Sequence, residues 1–145
     1  MDSTLNLSTD NKVAARAIIE ALNSADYDAL DQYVDGNFVR HCQATPEASV
    51  TSLDEFKRFD AGSREIFPDQ TVVLERVVEE NEFVAFWAKY RGTQEGQMGP
   101  FPPSHKSVEL DFAGIFRFMG GKAQEVWIIW DNMAMLQQLG HIQGS

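Results

Sequence analysis

The stretch Ser107 to Trp130, "SVELDFAGIFRFMGGKAQEVWIIW", places two apolar runs on either side of Gly120 and Gly121. Paired glycines supply the positive φ angles of a two-residue turn, so the segment reads as a β-hairpin. In its first arm Val108, Leu110, Phe112, Gly114, Phe116 and Phe118 share one face, while Glu109, Asp111 and Arg117 share the other. Successive strand residues point to opposite faces, so the first set looks inward. Gly114 leaves a space among large side chains that a neighbour or a ligand can fill. The second arm is apolar on both sides, with Val126, Ile128 and Trp130 on one face and Trp127 and Ile129 on the other. A strand without a polar face is covered on both sides. Helices on one side and a second subunit on the other would cover it, so the chain is expected to form a homodimer through the sheet.

Upstream, "TVVLERVVEE" and "EFVAFWAKYRG" extend the β-rich region, with breaks at "EN" and at the proline-rich "GPFPPSH". From Thr71 onward the chain therefore reads as an antiparallel meander. Before it the periodicity is helical. Ala14, Ala17, Ile18, Ala21 and Leu22 form the apolar stripe of an amphipathic helix that Thr9 or Asp10 can cap. A short second helix, "YDALDQYV", runs to the break "DGN" and a strand "FVRHC" follows. "SLDE" from Ser52 is a capping box opening a third helix that carries Leu53, Phe56 and Phe59 and ends at "FPDQ". Helices first and a curled sheet afterwards is an α+β layout in which the helices cover one face of the sheet.

At 145 residues the chain fits a single domain, 1–145. A domain of this size buries roughly 70% of its unfolded surface and needs no staple. The single cysteine, Cys42, excludes an internal disulfide, and no CxxC or HxxxH spacing suggests zinc, so neither metal nor cofactor is expected. No apolar run approaches the ~18 residues of a membrane span, and a cytoplasmic protein is the expectation. A net charge of −10 with scattered Lys and Arg argues against nucleic acid and leaves a small hydrophobic ligand as the expected partner.

Four stretches, "FVRHCQATPE", "PDQTVVLERVVEENEFVAFW", "RGTQEGQMGPFPPSHKSVELDFAGIFRF" and "GGKAQEVWIIWDNMAMLQQLG", together resemble the SnoaL-like polyketide cyclases and ester cyclases of the NTF2-like superfamily. The resemblance runs from about Asn11 to Gly140. It implies a curved antiparallel sheet covered by N-terminal helices around a conical apolar pocket, usually in a dimer. It also implies cofactor-free aldol closure of a polyketide ester by pocket side chains. The family's catalytic histidine, in the penultimate strand, and its aspartate, in the last, match Gly114 and Ile128 here, so this chain lacks both side chains.

Two candidates for proton transfer remain. Asp131 ends the last apolar strand, where a cavity-facing carboxylate would exchange protons, but aspartate there equally caps the helix that follows, unless Asn132 takes that role. His41 shares a strand face with Val39 and Gln43, and if that face is inward, His41 and Gln43 can hold a carbonyl or carboxyl group. Cys42 points away from His41, which argues against a Cys-His pair, and His105 reads as a solvent-facing turn residue. Met98, Phe101 and Pro102, on a Gly- and Pro-punctuated loop, suggest an apolar lid. Phe112, Phe116 and Trp130 are expected in the pocket wall, as is Phe59 where it is not simply core.

The expected function is a cofactor-independent acid-base enzyme of the cyclase, isomerase or hydrolase kind. Its substrate would be a small hydrophobic, carbonyl-containing metabolite, with Asp131 as acid or base and His41 as polar partner. The alternative is a non-catalytic pocket protein that binds such a molecule or regulates a partner. Water attack on an epoxide is a third possibility.

Overall fold

The computed structural model describes residues 3–143, with side chains from residue 11 onward. Its elements run α1 (Ser3–Asn23), a 3-10 helix (Tyr27–Gln32), β1 (Val34–Cys42), α2 (Leu53–Ile66), β2 (Thr71–Glu80), β3 (Phe83–Thr93), β4 (Ser107–Met119), β5 (Lys122–Ile129) and α3 (Asn132–Gln138). They form an α+β fold with one curved, five-stranded sheet in the order β1-β5-β4-β3-β2.

The four later strands are the antiparallel meander expected from their sequence, with Gly120 and Gly121 at φ of +60° and +79° in the β4–β5 turn. Strand β1 differs, because it joins the edge parallel to β5. It also begins earlier than expected: "DGN" lies within it, at a register shift between Val34 and Val39. Further register shifts lie between Leu74 and Arg76 and between Arg117 and Phe118. Extra residues of this kind increase local twist and let a sheet curl around its contents.

Helix α1 starts at Ser3, so Thr9 and Asp10 lie inside it, with side chains outside the described residues. Its buried face presents Ala14, Ala15, Ile18 and Ala21 to the sheet. At α2, Ser52 accepts a hydrogen bond from the Glu55 N–H, while the Glu55 carboxylate reaches back to Thr51 N at 2.8 Å rather than to the cap itself. The capping box is thus closed one residue further out.

The inward face of β4 is the one that alternation indicates. The main core joins it to Val84, Phe86 and Ala88 of β3, to Phe38 of β1 and to α1 and α2, and a smaller cluster gathers Phe67, Val108, Leu110, Met135 and Leu139. The Phe86 ring fills the space left at Gly114, where a Cβ would stand 2.5 Å from its Cζ.

Candidate functional site

Between the concave face of the sheet and helices α1, α2 and α3 lies a cavity of about 640 Å³, within the usual range for small-molecule sites. Phe56, Phe59, Phe86, Phe112, Phe116, Ile128 and Trp130 form most of its apolar wall. Phe59, Phe112, Phe116 and Trp130 are thus four of the side chains expected there, and Met98 and Phe101 join them from the β3–β4 loop.

That loop is held in place by a residue the sequence did not single out. Gln94 is fully buried, and its amide nitrogen donates to the carbonyls of Gly96, Phe101 and Pro102 while its oxygen pairs with Nε2 of His141 at 2.6 Å. Met98 and Phe101 then close a tight turn through reciprocal backbone bonds of 2.9 Å. His105 is exposed, at φ +60° beside Glu95, as expected of a turn residue.

The proposed acid-base pair is not brought together in this cavity. Alternation correctly groups His41 with Val39, but that face is the outer one. His41 stacks on Trp127 with ring centres 5.3 Å apart and pairs with Glu125 at 2.6 Å, and its side chain is 44% exposed. Gln43 is likewise exposed and away from the cavity wall. Phe38 and Arg40 occupy the inner face of β1 instead, where Arg40 pairs with the buried Val126 of β5 while His41 pairs with the outward Trp127.

Asp131 is the N-cap of α3. Its carboxylate accepts from the Ala134 N–H at 3.1 Å, it is exposed, and it takes no part in lining the cavity. Asn132 links the indole N–H of Trp130, at 2.7 Å, to the carbonyl of Ala44. The expectation that Asp131 and His41 share a pocket is therefore corrected by their placement. Asp131→Ala should lower stability by about 1 kcal/mol, the usual cost of losing such a cap. A urea titration measures this, and any turnover of the protein should be unchanged by the substitution.

One cluster of the polar groups that reach the cavity comes from α2, from the turn before β2 and from β3. Asp60, on α2, accepts at Oδ2 from the Tyr27 hydroxyl at 2.8 Å and from Arg64 Nε at 3.4 Å. Its Oδ1 has only a long contact, 3.4 Å from Gln70 Nε2. Burial raises the Asp60 pKa above the ordinary 3.8, while Tyr27 and Arg64 oppose that shift. Burial and the neighbouring Asp60 also push the Tyr27 phenol up to about 12, so it remains a donor at neutral pH. The Gln70 carbonyl accepts from both Ser63 and Tyr90 at 2.8 Å, and burial raises the Tyr90 pKa as well. In sequence Asp60 reads as one more charge on a polar helix face. Only the fold shows that it meets Gln70 and Tyr90. Among the described residues no group of three or more His, Cys, Asp or Glu could hold a metal ion.

Comparison with known proteins adds a family and a set of relatives. Residues 12–139 match the family described as SnoaL-like polyketide cyclase. IdmH, a proposed polyketide cyclase from Streptomyces antibioticus, superposes with a TM-score of 0.80 at 25% identity over 90% of this chain and 98% of its own. A proposed SnoaL-like polyketide cyclase from Jannaschia sp. CCS1 superposes with a TM-score of 0.83 at 22% identity over 93% and 94%. AclR, a proposed hydroxylase from Streptomyces galilaeus, does so with a TM-score of 0.80 at 20% identity over 95% and 85%. No curated protein sequence matches significantly.

Proposed function

The chain belongs to the SnoaL-like polyketide cyclase family, and from that premise we propose a cofactor-independent acid-base enzyme with Asp60 as its proton-transfer group. The substrate class is a hydrophobic carbonyl compound, and the reaction is of the cyclase, isomerase or hydrolase kind. One observation carries this reading: a largely buried carboxylate of raised pKa, its side chain 14% exposed and hydrogen-bonded by Tyr27, stands in the wall of an apolar cavity. Desolvation moves an aspartate toward the range in which it both takes and returns a proton, and perturbed carboxyls in clefts are candidates for catalysis on that ground.

The two carboxylate oxygens have different roles. Oδ2 is held by Tyr27 and Arg64, which fix the plane of the group. Oδ1, with its single long contact, has a lone pair for a proton beside the substrate carbonyl. As the enolate forms, its oxygen needs a donor, and the Ser63 and Tyr90 hydroxyls lie in the same wall. Both donate to Gln70 Oε1, so one can turn to the substrate while the other keeps that oxygen satisfied. The surrounding aromatic wall excludes water and strengthens each of these interactions.

Deuterium uptake at the α-carbon of 2-tetralone and 2-indanone in D₂O, followed by NMR, tests this reading. Base catalysis requires ionised Asp60, so the protein-dependent rate should rise with pH through a midpoint above 3.8. Uptake no faster than in buffer alone, for both ketones, would remove the support for catalysis.

The outer face of the sheet is proposed as the contact with a second copy of the chain. Trp87 is 49% exposed there and Ile129 67%, beside the exposed Ile115 and Trp127. Contiguous apolar surface of this kind marks an interaction site on a protein that otherwise carries a strong net charge. Ile129→Glu places a charge in that contact, and light scattering should then report a monomer where the parent chain is a dimer. A parent chain that is already monomeric would contradict the contact. Among the described residues no helix is long and apolar enough to cross a membrane, and the single free cysteine fits the reducing cytoplasm proposed as the compartment.

A further inference from the structure

Arg40 is a buried residue, 8% exposed, and forms part of the cavity wall. Arginine is effectively always charged, and burying such a charge is costly unless it is paired. Among the described residues no carboxylate lies within ion-pair distance of it. Its neighbours are the Thr45 hydroxyl, which accepts from Nη1 at 3.1 Å, the Cys42 thiol, and two aromatic rings. The guanidinium carbon lies 4.1 Å from the centre of Phe59 and 5.8 Å from that of Trp130. Burial lowers the Arg40 pKa, as expected for a cation whose surroundings compensate it only in part.

The environment of Arg40 is also held rigid. Trp130 is fixed through Asn132 to the carbonyl of Ala44, and the Arg40 backbone pairs with Val50. Rings approach the flat guanidinium, so the N–H groups along its edge, apart from those engaged by Thr45 and Cys42, are what it offers to the cavity. A planar fork of donors matches a carboxylate, which it can hold by two parallel hydrogen bonds. Arg64, another cation of the cavity wall, is engaged by Asp60 and by the Leu22 carbonyl. Arg58, also in the wall, is exposed. One buried cation lacking a carboxylate suits one negative charge better than the two of a phosphate monoester.

We propose that Arg40 is an anion-binding residue, and that the ligand of this cavity is an apolar molecule bearing a free carboxylate. The site accepts an acid where an ester would leave the guanidinium without a counter-charge. This deepens the reading of the cavity as a substrate site and rests on it. Arg40 would bind and orient the ligand, while proton transfer stays with Asp60.

Binding of 2-naphthoate and of its neutral isostere 2-naphthamide, followed by tryptophan fluorescence at neutral pH, tests the proposal. The acid should bind at least about tenfold more tightly than the amide, as a charge-assisted hydrogen bond to a buried partner provides. Arg40→Met should abolish that preference, and Arg40→Lys, which keeps the charge without the fork, should retain part of it. The preference is read from binding alone, so a parent protein that shows it without exchanging α-protons separates a failure of the catalytic reading from a failure of this one. Equal affinities for acid and amide in the parent protein, or no binding of naphthoate at millimolar concentration, would overturn the proposal without recourse to any variant. A preference that survives in folded Arg40→Met would overturn it too.

Discussion

Asp60→Asn lowers protein-catalysed α-proton exchange by roughly 10²- to 10⁴-fold, the contribution usual for a positioned general base. Asparagine keeps the shape of the side chain and an oxygen for the Tyr27 hydroxyl, but it cannot take a proton. Stability should change in the opposite sense as pH rises. Burial raises the folded-state pKa of Asp60 above 3.8, so below 3.8 the group is protonated in both folded and unfolded chains and imposes no penalty. As pH rises through the raised folded value, the native state must hold a desolvated charge, and stability from this group is lost. Relative to the parent, Asp60→Asn should therefore gain stability over that window, while Arg64 loses its ion-pair partner at every pH at which the parent carboxylate is charged. Urea midpoints of both proteins between pH 3 and 7, set beside their exchange rates, measure the two effects on one pair of proteins. A variant that exchanges as fast as the parent would leave Asp60 with a structural role only.

Phe38→Ala should cost about 3–5 kcal/mol, the usual penalty for removing a buried aromatic ring together with the cavity it leaves. Phe38 is fully buried on the inner face of β1, and its ring centre lies 4.9 Å from that of Phe56 on α2. This contact ties the parallel edge strand to the helix that carries Asp60 and Phe59. Domains of this size are stable by only about 5–15 kcal/mol, so the loss is a large share of the whole. Urea unfolding followed by circular dichroism gives the value. A cost under about 1 kcal/mol would mean that β1 is only loosely fastened to α2. Loosening this edge should also weaken ligand binding, because Arg40 follows two residues later on the same face.

Much of the fold can be read from the hairpin around Gly120 and Gly121, since a two-residue turn with positive φ at both positions leaves few alternatives. Alternation then determines the inward face of β4, and the apolar last strand divides Trp130, in the cavity wall, from Trp127, on the outer face. The same rule groups His41 with Val39 but does not say which face of an edge strand is inward. That choice depends on the parallel pairing with β5, which leaves no local pattern. Arg40 escapes a reading by polarity because a charged residue is expected outside, and its burial depends on rings contributed by α2 and the end of β5. Asp60, Gln70 and Tyr90 are 10 and 20 residues apart along the chain and meet only when β3 folds back toward α2. At Asp131 the sequence allows either a cap or a pocket carboxylate, and the helix starting at Asn132 takes the first option.

The most direct test of the account is the titration of the Asp60 carboxyl carbon by NMR in the folded protein, with Asp60→Asn confirming the assignment. A midpoint above 3.8 is the expected result for a desolvated cavity carboxylate available for proton transfer. A midpoint at or below 3.8 would show that Arg64 and Tyr27 hold the group as a structural anion. The assignment of Asp60 as the acid-base residue would then be wrong.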